Sequence, residues 1–164
     1  MKSYYKSPIG IIRIESSDKG ISGLVFADNI EDEKDGLSDM TSQGLEVDKT
    51  SSPCLLQLDE YFNLKREVFE IELDLKGTAF QKKVWNELLK IPFGKTISYK
   101  ELSLRLGDIK AIRAVAAANG ANPVSIIVPC HRVIGSDGSL TGYGGGLWRK
   151  RWLLEHENKE QILF

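Results

Sequence analysis

The sequence predicts a mixed α/β chain in two parts, a small α/β unit followed by a predominantly helical one. Three observations carry this reading. β-Branched and aromatic runs dominate the first quarter, while capped helices with apolar residues at helical spacing dominate the second half. The charge also changes sign between the halves. Residues 1–78 hold 9 Lys/Arg against 16 Asp/Glu, and residues 79–164 hold 13 against 7, so balances of −7 and +6 lie inside a net charge of −1. A split of this kind points to an anionic partner for the second half, a merely solvated charged surface being the alternative.

In the first unit, Tyr4–Glu15 and Ile21–Ala27 read as strands separated by the turn segments Ser7-Pro8-Ile9-Gly10 and Ser17-Asp18-Lys19-Gly20. The polar, acidic residues 28–52 read as an exposed connection. Pro53 suits a first helical turn, with Leu55, Leu58 and Phe62 following at helical spacing. Val68–Leu75 alternates Phe69, Ile71, Leu73 and Leu75 with Glu70, Glu72 and Asp74, which predicts a strand with one wet face. The unit ends near Gly77.

In the second half, Thr78 and Gln81 form a capping box ahead of a helix carrying Phe80, Val84, Trp85 and Leu88. Ser98 and Glu101 repeat the pattern before Tyr99–Leu106, which Gly107 stops, and Asp108 caps a helix over Ile109–Asn119 that Gly120 terminates. Two short capped helices joined by a Gly-containing turn are the helix-turn-helix pattern. The surface of the second is short-chained, with Arg113 its one long charged residue. Alanine's helix propensity alone could account for that composition, but small side chains also let a backbone approach a groove closely.

The chemistry concentrates in Ile126-Ile127-Val128-Pro129-Cys130-His131-Arg132-Val133-Ile134-Gly135. It is a strand-like run that Pro129 interrupts, because proline removes a ladder donor. A cysteine beside a histidine and an arginine can be held as the attacking thiolate; a buried structural cysteine is the alternative. A glycine-rich segment, Gly135–Gly146, follows without the Gly-Lys-Ser/Thr of a Walker loop. A last helix, Leu147–Asn158, carries Trp148, Arg149, Lys150, Arg151, Trp152, Leu153 and Leu154 and delivers Glu157. Two cysteines and two histidines make neither a disulfide framework nor a zinc cluster. With no apolar run of membrane-spanning length, the chain is expected to be intracellular and free of metal and cofactor.

Pro129-Cys130-His131-Arg132-Val133-Ile134-Gly135 comes with Asn122-Pro123-Val124 upstream and Tyr143, Gly145-Gly146-Leu147 and Leu153-Leu154-Glu155-His156-Glu157 downstream. Together these closely resemble the methylated-DNA–protein-cysteine methyltransferases, the O6-alkylguanine repair proteins. Phe93-Gly94, Ser98-Tyr99 and Arg113-Ala114-Val115 agree in order, so the likeness covers roughly residues 78–158. The resemblance implies a ribonuclease-H-like α/β domain over residues 1–76 and a winged helix-turn-helix domain over residues 77–164. It implies single-turnover, irreversible transfer of an alkyl group from guanine O6 in double-stranded DNA to Cys130 of a monomeric protein, with thymine O4 left open as a second substrate.

The same resemblance implies the site residues. His131 activates Cys130 through a water and Glu157 orients His131, although Glu155 lies only two residues away. Asn122 ties the helix-turn-helix to the active segment. Tyr99 sits by the flipped nucleotide and donates to the purine, and Arg113 fills the vacated place in the stack. Ala114, Ala117 and Arg132 join Tyr99 and Arg113 in contacting DNA through the minor groove. Val133, Tyr143, Gly144 and Lys150 line the pocket, core packing being the rival role for Tyr143. Ala121 stands where many relatives carry a basic residue, and Gly144 where they carry Ser or Ala, which implies weaker DNA affinity and room for bulkier alkyl groups. A lesion sensor without transfer and a cysteine hydrolase are the two alternatives. The first is disfavoured by the presence of Cys130, the second by the lack of any role for a DNA-type half.

Overall fold

The computed structural model describes residues 1–28 and 51–162, and the chain divides into two units, Met1–Leu75 and Lys76–Phe164. Of the expected acidic connection, residues 29–50 lie outside the described residues, while Ser51 and Ser52 already belong to the helix that follows.

The first unit is built on an antiparallel meander of β1 (Lys2–Ser7), β2 (Gly10–Ser17) and β3 (Gly20–Phe26) in the order β1-β2-β3. Ser7 closes the first turn, its Oγ donating to Gly10 O at 2.6 Å and accepting from Ile9 N at 3.2 Å. Ile12 and Ile14 of β2, and Ile21 and Leu24 of β3, are fully buried. Helix α1 (Ser51–Phe62) supplies Cys54, Leu58, Tyr61 and Phe62 at i, i+4, i+7 and i+8, the stripe of a helix lying on a core.

Val68–Leu75 does not form the expected strand. It pairs with β3 only through a parallel bridge between Leu73 and Ile21. Farther upstream the Gln57 side chain takes over the ladder, accepting from Glu70 N at 2.8 Å and donating to Glu70 O at 3.2 Å. The backbone is thus satisfied by a helix side chain where a strand would have been needed. Gly20, at φ +151°, permits the bridge, since a Cβ there would lie 2.5 Å from Glu72 O.

The second unit opens with α2 (Ala79–Leu88). Its capping box is complete: Thr78 Oγ1 accepts from Gln81 N at 3.1 Å, and Gln81 Oε1 accepts from Thr78 N at 2.9 Å. Val84, Trp85 and Leu88 are its buried face. β4 (Ile97–Ser98) pairs in parallel with β5 (Val133–Ile134), which brings the end of the cysteine segment beside the start of α3 (Tyr99–Arg105). Ser98 caps α3 through Glu101 N at 3.0 Å, and Gly107 at φ +87° makes the left-handed stop. Asp108 Oδ1 caps the next turn through Lys110 N at 2.9 Å. That turn is 3-10 (Ile109–Ala111) and passes into α4 (Ile112–Gly120), completing the helix-turn-helix. Gly120 is the last residue of α4 and not a left-handed terminator, because Ala121 still follows at φ −86°. The chain leaves at Asn122, whose backbone Pro123 biases away from the helical region. Helix α5 (Leu147–Ile162) closes the unit.

Candidate active site

The run before the cysteine is a buried turn, not a strand. Ile126 sits at φ +71° while 1% exposed, a left-handed conformation costing a β-branched residue about 1–3 kcal/mol. Asn122 holds the turn, its Nδ2 donating to Val128 O at 2.7 Å and its Oδ1 accepting from Val124 N at 3.0 Å. These bonds run from the end of α4 to the residue before Pro129. Asn119, which the sequence did not single out, adds a contact from its Nδ2 to Cys130 O at 3.4 Å. The signal was an amide on the face of a helix otherwise buried through Val115 and Ala118. Trp85 anchors α4 from the other side, Nε1 donating to Ala118 O at 2.8 Å.

Cys130, His131 and Arg132 form one 3-10 turn, and all three are buried. His131 Nε2 lies 2.7 Å from Glu157 Oε2 with both side chains sealed from solvent. An ionised carboxylate only accepts, so Nε2 carries the proton and Nδ1 is left as the lone pair. Nδ1 is buried with no hydrogen-bond partner among the described residues. Of the two candidate glutamates, Glu157 is the one in the site; Glu155 is exposed.

Arg132 departs from the expected DNA contact. It is 6% exposed and turned inward, with Nε donating to Glu157 Oε1 at 2.8 Å, Nη2 to Glu157 Oε2 at 3.0 Å and Nη1 to Ile91 O at 2.7 Å. A guanidinium gripping both oxygens of a buried carboxylate cannot also reach a phosphate or base.

Electrostatics follow from this packing. Burial pushes the Cys130 thiol up, with Asn122 and Lys150 pulling partly back. That burial favours the thiol over the thiolate, while Asn122 and Lys150 favour the thiolate. Burial lowers His131 and so favours the neutral imidazole, against Glu157, which raises it. Burial would raise Glu157, but His131 and Arg132 hold its carboxyl well below the usual range. Lys150 is fully buried, and desolvation lowers it to about 8. Its Nζ donates to Val133 O at 2.6 Å and Thr141 O at 2.8 Å. Tyr99 Oη donates to the same Thr141 carbonyl at 2.9 Å, which joins the glycine-rich segment to α3. Burial raises both Tyr99 and Tyr143. Tyr143 is half-buried, and a Cβ at exposed Gly144 would meet nothing within 4 Å.

Arg113, Ala114 and Ala117 lie on the exposed side of α4, opposite Val115 and Ala118. The geometry thus brings Cys130, His131, Glu157, Asn122, Tyr99, Val133 and Lys150 into one connected set and leaves the α4 residues on a separate outer face.

A buried thiol in one turn with an imidazole held by a buried carboxylate, in the unit that carries the helix-turn-helix, is the arrangement of a cysteine nucleophile on a DNA-binding architecture. Comparison with known proteins agrees at every level. Residues 79–159 match the 6-O-methylguanine DNA methyltransferase DNA binding domain and residues 1–75 the ribonuclease-like domain of the same proteins. A methylated-DNA–protein-cysteine methyltransferase of Methanosarcina barkeri is 43% identical over 152 residues, 93% of each chain. The Mycobacterium tuberculosis O6-methylguanine methyltransferase crystal structure superposes with a TM-score of 0.78 at 41% identity, covering 97% of this chain and 94% of that one. The M. tuberculosis OGT in complex with DNA gives 0.81 at 42% identity, covering 96% and 92%. The chain belongs to the 6-O-methylguanine DNA methyltransferase family.

Proposed function

We propose that this chain repairs DNA by moving the alkyl group of an O6-alkylguanine onto Cys130, once and irreversibly. What supports the reading most is the buried Cys130 thiol next to a neutral His131 whose Nε2–H is tied to Glu157 at 2.7 Å. His131 Nδ1 takes the thiol proton, directly or through one bridging water, as Sγ attacks the alkyl carbon in line. The C–S bond forms, the C–O bond breaks, and the proton lost from sulfur ends on the released guanine. Nothing restores the thioether to a thiol, so each molecule acts once.

The lesion must leave the duplex to reach a buried thiol. Arg113, on the outer face of α4, fills the vacated place, and Ala114 and Ala117 let the helix approach the minor groove closely. Tyr99 donates to the purine as its oxygen leaves. In doing so it gives up the Thr141 carbonyl, which Lys150 continues to satisfy. Val133, Tyr143 and Gly144 border the base and its alkyl group, and Asn122 links the DNA-contacting helix to the nucleophile. The basic second half supplies phosphate affinity, which falls with salt. The protein works as a single copy inside the cell; no helix among the described residues is long and apolar enough to cross a membrane.

The test is stoichiometric. Duplex DNA with a labelled O6-methylguanine should lose one label per protein molecule, and the label should appear on protein. Binding without label transfer would replace this reading with a lesion sensor, and more than one transfer per molecule with a turnover enzyme.

A further inference from the structure

Arg132 is the residue whose placement the sequence did not foresee, and its surroundings give it a task. Its Nε and Nη2 use both oxygens of Glu157, at 2.8 Å and 3.0 Å, while Nη1 is held by Ile91 O at 2.7 Å. Its guanidinium carbon lies 5.9 Å from the centre of the Phe93 ring. Glu157 is thus held on both oxygens by one cation, while Oε2 also takes the imidazole proton.

A carboxylate alone, 2.7 Å from an imidazole in a site sealed from water, would favour the imidazolium. An imidazolium has no lone pair and cannot take a proton from sulfur. The guanidinium changes this balance, because the carboxylate's charge is already compensated before the imidazole is considered. Among the described residues, Lys150, also on α5, opposes a second positive charge on His131, and Cys130 is its neighbour in the 3-10 turn. The buried face of α2 that packs on this turn is apolar, consisting of Val84, Trp85 and Leu88.

We propose that Arg132 is a positioning residue of the alkyl transfer, which grips both oxygens of Glu157 and thereby keeps His131 neutral, with Nε2–H toward Glu157 and Nδ1 free to accept the Cys130 proton. This rests on the functional reading above and adds a resting state to it. The proton stays on sulfur until an electrophilic carbon is in place, so a thiol that can be used only once is not consumed by stray electrophiles or oxidants.

The experiment needs neither DNA nor lesion, so its failure and that of the repair reading are separable. Protein labelled with 15N-histidine is titrated by NMR, with His131 assigned by loss of its signals in His131→Gln. The native protein should show the neutral Nε2–H imidazole at pH 7. In Arg132→Gln the imidazolium should persist about one pH unit higher or more, while Arg132→Lys, which keeps the charge, should return the titration toward the native one. In parallel, the pH profile of iodoacetamide reaction at Cys130, corrected with Cys130→Ser, should move to lower pH in Arg132→Gln as the imidazolium stabilises the thiolate. A folded Arg132→Gln protein with native His131 and Cys130 titrations would overturn the proposal. So would an imidazolium at pH 7 in the native protein, a result that decides the matter even where Arg132→Gln fails to fold.

Discussion

Cys54 and Cys130 are both free and both buried, one in each unit of the chain, yet their surroundings differ in kind. Cys54 lies in α1 on an apolar stripe with Leu58 and Tyr61, and burial alone pushes it up to about 12. Cys130 is pushed up by burial too, but Asn122 and Lys150 counter it, and His131 stands beside it in the same turn. Burial makes a cysteine inert. What separates a reactive thiol from a core residue here is a polar set assembled from α4, the 3-10 turn and α5, which can receive a proton when required.

The largest test of that contrast is to remove each thiol in turn. Cys130→Ala should abolish alkyl transfer while retaining DNA binding. Cys54→Ala should leave transfer intact and cost about 1–2 kcal/mol in a denaturant melt, as loss of a small buried side chain does. Equal loss of transfer in both variants would erase the distinction. Next come the proton acceptor and its holder. His131→Gln and Glu157→Gln should each slow transfer by about 100-fold or more, and the double variant should be little worse than either, since the two act as one unit. Single-turnover rates on O6-methylguanine duplex measure this. If Glu157→Gln lowered only the melting temperature, its part would be structural.

Arg113→Ala should act on presentation of the base and not on the thiol. Repair of duplex DNA should fall about tenfold, with reaction toward the free alkylated base unchanged. The smallest effect is on pH-dependent stability. His131 is depressed in the folded state, so below its unfolded pKa of roughly 6.5 the unfolded chain binds a proton that the folded chain does not. Stability should therefore fall as pH drops from 7 to 5. Replacing His131 with Gln should flatten that part of the curve in urea melts taken across this range. Glu157, held low when folded, adds its own loss as pH falls through the usual carboxylate range and below it.

How much of this was legible in the sequence follows from the distances over which each feature is determined. The caps at Thr78, Ser98 and Asp108 involve partners two or three residues away, and all three side chains accept as the spacing implies; at Ser98 only half of the expected capping box forms, because Glu101 Oε1 accepts from Arg105 Nε at 3.2 Å instead. The meander, the helix order and the helix-turn-helix were readable for related reasons of local pattern, whereas Glu157 came from the family resemblance alone. The alternation in Val68–Leu75 suits a strand, but its pairing depends on the Gln57 side chain and on a single bridge to Ile21, neither encoded in the alternation. Ile126–Val128 looked like a strand by β-propensity, but the turn that seats Cys130 forces Ile126 to φ +71° against it. Nothing local marks Arg132, which the resemblance places among the DNA contacts, as the holder of a carboxylate. Its partner is 25 residues downstream, on a helix whose face toward the turn only the fold decides.

The central claim is that Cys130 alone is the acceptor and is consumed by a single transfer. The most direct measurement is the intact mass and peptide map of the protein after incubation with excess duplex carrying O6-methylguanine. The account predicts a gain of one methyl group per molecule, located on the peptide containing Cys130, with Cys54 unmodified and no further gain at longer times. A gain on Cys54, more than one methyl per molecule, or complete DNA repair with unmodified Cys130 would contradict it.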